Sequence, residues 1–201
     1  MTTMSTFLDE APIKVRNNKK FILEAVTNYG LDLEYASNDL KSDMEVVKAA
    51  VKNNPRSFKY ASDKIKKSRL CIYEIFITNP RRNKQILKYV SDEIKNSKQD
   101  MLFFIIWESR SLEYASEDIK SDFDVVMKAV EQNGLTLMYA SDGLKSNKDI
   151  VSAAVKNNGL ALEWAAEELH DDYDIGLVAY DENPEASQYF SKNLREEICL
   201  Y

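Results

Sequence analysis

The chain has 201 residues, 44% of them hydrophobic and 30% charged, with five Gly, four Pro and a net charge of −6. That is the composition of a folded chain, and it is too poor in turn formers for a β-rich fold. No run approaches the ~18 apolar residues that span a bilayer, residues 1–18 lack the apolar core of a secretory signal, and Cys71, Cys199 and the single His170 stand in no ligand spacing. The expectation is a cytoplasmic protein with reduced thiols, no membrane segment and no cofactor, although signal-independent secretion would leave the same sequence.

Residues 1–17 precede any pattern and read as an N-terminal cap or flexible segment. A self-similar motif then begins. Leu33-Glu34-Tyr35-Ala36-Ser37 returns as Phe58-Lys59-Tyr60-Ala61-Ser62, and again around Tyr89, Tyr114, Tyr139, Trp164 and Tyr189. The aromatics are 25 residues apart, except for one spacing of 29 between Tyr60 and Tyr89. The units fall near 18–42, 43–68, 69–96, 97–121, 122–146, 147–171 and 172–195.

Each unit reads as a long helix, a stop, a short helix and one further turn. In the second unit Val46, Val47, Ala50 and Val51 lie on one helical face. Capping-box spacing marks helix starts at Ser42/Glu45, Ser97/Asp100, Ser121/Asp124, Ser146/Asp149 and Asp171/Asp174. Five residues before the aromatic stands Gly30, Pro55, Gly134, Gly159 or Pro184. The glycines suit a left-handed helix end, and the prolines stop a helix by lacking an N–H. The predicted fold is all-α: a right-handed-type α-solenoid of about seven ~25-residue helix–turn–helix repeats, one array over 18–195. In such a stack Tyr35, Tyr60, Tyr89, Tyr114, Tyr139, Trp164 and Tyr189 are expected in the core. Residues 196–201 are expected to close the end, with Ile198 and Leu200 packing back.

Two stretches of this chain, Asp43-x-Glu45-Val46-Val47-x-Ala49-Ala50-Val51-x-x-Asn54 and Asn157-Asn158-Gly159-Leu160-Ala161-Leu162-Glu163-Trp164-Ala165, resemble the tandem helical repeat family called domain of unknown function 4116. The resemblance covers about 18–195. It is close in the first, second, fifth and sixth units and looser in the others. It implies tandem helical repeats with no established catalytic activity, in proteins that sometimes meet a host cell. It implies no functional residues.

The units differ in informative ways. Residues 1–100 carry a net charge of +6 and residues 101–201 one of −12, with +9 concentrated in 52–98. Arg56, Lys59, Arg81, Arg82, Lys84 and Lys88 form the candidate patch for an acidic partner or polyanion. Met101-Leu102-Phe103-Phe104-Ile105-Ile106-Trp107 is apolar throughout, so its helix needs cover on every side. Phe103 and Trp107 are the candidate apolar interface. The acidic cluster around His170 (Glu167, Glu168, Asp171, Asp172, Asp174) is better explained by caps than by metal or catalysis. The expected function is a non-enzymatic scaffold for an unidentified protein partner or for homo-oligomer formation. Binding of nucleic acid or another polyanion through 52–98 is the alternative, less favoured in a chain of pI ≈ 5.0.

Overall fold

The computed structural model describes residues 8–199 and is all-helical, with no strand among them. The expected packing of Leu200 and the expectation for residues 1–7 lie outside the described residues. The chain divides into two compact units, residues 1–94 and 95–201.

The first unit holds the long helices α1 (Lys19–Asn28), α2 (Met44–Asn53) and α3 (Arg69–Ile77). The second holds α4 (Lys98–Trp107), α5 (Phe123–Gln132), α6 (Lys148–Asn157), α7 (Tyr173–Glu182) and a closing helix α8 (Lys192–Cys199). Each of α1 to α7 leads to a six-residue 3₁₀ helix that ends on the repeated aromatic, as in Gly30–Tyr35, Pro55–Tyr60 and Gly134–Tyr139, with an extra helical turn, Pro80–Asn83, in between after α3. Within each unit successive long helices pack in one row and successive 3₁₀ helices in another. Contact between α2 and α3 is sparser than between α1 and α2.

The helix caps lie one residue later than the capping-box reading placed them in four of five cases. Asp43, Asp122 and Asn147 each accept from two backbone N–H groups at the start of α2, α5 and α6, and Asp172 accepts from Ile175. Only Ser97 caps as expected, accepting from Asp100 at 3.2 Å. The three displaced serines face backwards: Ser42, Ser121 and Ser146 donate to carbonyls four residues earlier. Serine thus finishes one helix and the following Asp or Asn starts the next, its side-chain oxygen reaching the free N–H groups of the first turn.

The glycine reading also needs correction, because among the described residues none has a positive φ. Gly30, Gly134 and Gly159 are small because the next long helix comes too close. A Cβ on them would sit 2.3, 2.1 and 2.3 Å from the carbonyl oxygens of Ala50, Ala154 and Ala179.

The repeated aromatics are half-buried, not core. The buried column is two residues earlier: Leu33, Phe58, Leu87, Leu112, Leu137 and Leu162 are all 0% exposed. In a 3₁₀ helix residues i and i+3 eclipse. The first and fourth positions of the segment, Gly134 and Leu137, point inward together, while the sixth, Tyr139, flanks that stripe.

Residues 8–17, expected as a cap or flexible segment, share the burial pattern and one backbone bond of the repeat. Leu8 and Ala11 are buried like Leu33 and Ala36, 25 residues later. The Ser37 N–H donates to the Arg16 carbonyl at 3.0 Å, and the same bond recurs 21 residues apart as Ser62 to Lys41, Ser116 to Lys95, Ser141 to Lys120, Ala166 to Lys145 and Ser191 to His170. Across the longer spacing it joins Ser91 to Lys66. At the other end Leu194 of α8 covers Gly176 of α7, where a Cβ would meet it at 2.6 Å.

Candidate functional site

The basic candidates divide into working and exposed groups. The last residue of a long helix reaches back to the end of the preceding one. Asn53 donates to the carbonyls of Thr27 and Asn28 at 3.0 and 3.1 Å, while its own oxygen accepts from Gly30 at 2.8 Å. Asn157 repeats this with Glu131 at 3.0 Å and Gly134 at 2.7 Å. Counted back from the aromatic, Arg82 holds the same position. Its guanidinium donates to the Lys52 carbonyl at 2.8 Å and to that of Asn53. Arg82 is therefore a structural clamp and not a spare cation.

Arg56 and Lys59 are exposed on the 3₁₀ helix Pro55–Tyr60, and Lys88 is exposed on Lys84–Tyr89, which packs beside it. Lys84 on the latter is half-buried, and Arg81 is exposed on the preceding turn. The Lys59 ammonium lies 4.4 Å from the centre of the Tyr60 ring. Contact with the Tyr60 hydroxyl raises its pKa. Lys59 and Lys88 occupy the place that is Glu34, Glu113 or Glu163 in other repeats.

The half-buried aromatics pair with those acids. The Tyr189 hydroxyl donates to Glu163 at 3.1 Å. Burial and then the Glu163 carboxylate push the Tyr189 phenol pKa upward, as burial and then Glu34 do for Tyr60 and burial and then Glu113 do for Tyr139.

A basic column escaped the sequence reading, although it stands six residues after every aromatic: Lys41, Lys66, Lys95, Lys120, Lys145, His170 and Arg195, with Arg16 in the same register. Several of these side chains cap the negative end of the 3₁₀ helix before them. Lys66 donates to the Lys59 carbonyl at 2.6 Å, His170 Nε2 lies 2.9 Å from the Leu162 carbonyl, and Arg195 donates to Ser187 and Gln188 at 2.9 and 3.0 Å. His170 is thus accounted for by its own repeat.

On α4, Phe104 and Ile105 are buried and Phe103 is half-buried, meeting Phe104 edge-on at 5.6 Å. Ile106 and Trp107 face out, 58% and 56% exposed. Trp107 stands where other repeats place the clamping Asn53, Arg82 or Asn157. Among the described residues no group of three His, Cys, Asp or Glu is arranged to hold a metal, and no helix is long and apolar enough to cross a membrane. Cys71 and Cys199 are free and half-buried.

The family model described as "Domain of unknown function (DUF4116)" matches residues 18–66, 107–145, 122–170 and 147–195. The matches overlap as tandem repeats do and leave out residues 67–106, the stretch containing the four-residue insertion and most of α4. No curated protein and no solved structure gives a significant match.

Proposed function

Because the chain belongs to the family of repeats described as domain of unknown function 4116, we propose from its own surfaces that it is a non-enzymatic helical-repeat scaffold that binds another protein or a second copy of itself. The array we envisage is a right-handed α-solenoid of about seven repeats. The identical carbonyl bonds and clamps inside residues 8–94 and inside 95–199 support it. A cytoplasmic location belongs to the same proposal and agrees with two free, half-buried thiols.

One observation carries the binding reading. Ile106 and Trp107 expose adjacent large apolar side chains where other repeats present polar clamp residues. Tryptophan is enriched at the centres of protein interfaces. A photo-crosslinking amino acid at position 107 should yield discrete protein adducts from native lysate, or dimers of the pure protein. The same probe at the exposed Lys156, the equivalent of Ile106, should not. Adducts no stronger at 107 than at 156, with a monomeric mass in sedimentation, reject the reading.

The polyanion alternative is favoured by the exchange of Glu for Lys59 and Lys88 on neighbouring segments. A salt-sensitive gel shift with an RNA pool, lost on Arg56→Glu with Lys59→Glu, is its expected signature. Arg82 is unsuitable for that test because its loss would loosen α2.

A further inference from the structure

The four-residue insertion has a consequence between α2 and α3. Arg82 retains the clamp on the end of α2, but the helices beneath it stand apart around a cleft of about 490 Å³. Ligand pockets commonly enclose roughly 300–1,000 Å³. The apolar surface of the floor comes chiefly from half-buried Ala49, because Val51 and Ile75 beneath it are each only 1% exposed, and the rim carries Lys48, Lys52 and Arg82. No carboxylate lines it.

The walls are fixed in place. Asn83 is buried and its amide donates to the Ile75 carbonyl at 2.8 Å and to the Thr78 hydroxyl at 3.0 Å, which ties the inserted turn to the end of α3. Asn79 caps that turn by accepting from the Arg82 N–H at 3.3 Å. A rigid wall lowers the ordering cost of binding.

Electrostatics decide what the cleft would take. Two helix C-termini approach it, and their carbonyls would repel an anion. Those of α2 are capped by the Arg82 guanidinium, and that of Ile75 is occupied by Asn83 and Thr78. Lys48 reaches Glu74 at 2.5 Å. Lys52 is exposed and, among the described residues, forms no ion pair. Cations therefore set the rim, and Lys52 is the one with its charge uncommitted.

We propose that this cleft binds a small amphipathic anion, a carboxylate with a short hydrocarbon or aromatic body. The charged end meets Lys52, and the body lies over Ala49 and the alkyl stems of Lys48 and Lys52, above Val51 and Ile75. The proposal stands apart from the scaffold reading, since it uses no residue of the Ile106–Trp107 surface.

The test is methyl NMR of the full chain, following Val51 and Ile75 during titration with 4-phenylbutyrate and with its neutral amide. The acid should shift both residues' methyls saturably, and the amide should bind at least about tenfold more weakly, the scale of one lost charge contact. Lys52→Glu, a change at an exposed position, should abolish the acid's effect, and Ala49→Trp should block both ligands by filling the floor. Unmoved methyls overturn the proposal, as does equal binding of acid and amide or an undiminished response in the Lys52 variant. If the Ala49 variant fails to fold, the Lys52 variant and the amide still decide.

Discussion

The α2–α3 and α5–α6 seams solve one problem at two separations. In α5–α6 the chain passes so close that Gly134 has no room for a Cβ, and the short Asn157 amide spans to Glu131. In α2–α3 the repeat is four residues longer, Pro55 stands in the glycine's place and Arg82 in the asparagine's. Both seams carry N–H donors to the carbonyls at the end of a helix, groups that no intrahelical partner satisfies. The donor's reach changes with the gap while the bond it makes does not. A repeat can thus lengthen locally and open a cleft without losing the tie to its neighbour.

The largest expected effects test where the core lies. Leu137→Ala should cost about 2–5 kcal/mol, the range for a buried leucine, while Tyr139→Ala should cost clearly less because its ring is only half-buried. Urea denaturation of both variants ranks them, and a reversed order would return the aromatic to the core. Next comes the tight seam. Gly134→Ala should cost about 1–3 kcal/mol as its methyl meets the Ala154 carbonyl. Pro55→Ala, where the helices stand apart, should cost less than Gly134→Ala in the same assay.

The clamps come third. Arg82→Ala should destabilise by about 1 kcal/mol, the usual worth of such hydrogen bonds. Arg82→Asn should behave like the alanine variant, because the shorter amide does not cross the wider seam. An Arg82→Asn protein as stable as wild type would break the comparison of reach.

The smallest effect is acid sensitivity. Burial alone would raise the pKa of Asp43 and Asp122, but Lys19 and Lys98 with backbone N–H groups hold them below the ordinary value; Lys148 chiefly does so for Asp172. A carboxylate with a depressed folded pKa contributes stability above its unfolded pKa of about 4, and that contribution disappears as pH falls through the folded value. The urea midpoint should therefore decline below about pH 4, and less so in Asp122→Asn, which keeps a cap but loses the ion pair with Lys98.

Periodicity made the helical repeat legible, and Val46, Val47, Ala50 and Val51 obeyed it, but it could not rank the burial of neighbouring apolar positions. Leu137 and Tyr139 are both large and apolar, and only the 3₁₀ winding separates stripe from flank. The caps were misplaced by one residue because Ser121-Asp122 offers two adjacent capping side chains, and sequence does not say which faces forward. Arg82 was read as a surface cation because its partners are backbone carbonyls about 30 residues away, which carry no residue-specific signal. The basic column was readable as a fixed offset from the aromatics, but the unequal net charge of the two halves masks a position that is basic in every repeat. Phe103 and Trp107 were both legible as apolar residues in need of cover, but which ring faces out depends on α4's rotation about its own axis.

The recurring carbonyl bond makes the second unit an editable object. Excising residues 121–145 would leave Lys120 followed by Ser146, as it is now followed by Ser121, and would bring the Ala166 N–H to the Lys120 carbonyl in place of that of Lys145. The cut would remake the bond of this kind at its junction while removing the ion pairs of Lys98 with Asp122 and Asp124 and of Lys128 with Glu131. A protein tied together in this way can gain or lose whole modules through recombination and still close, so copy number becomes a trait that varies more easily than the fold of any single module.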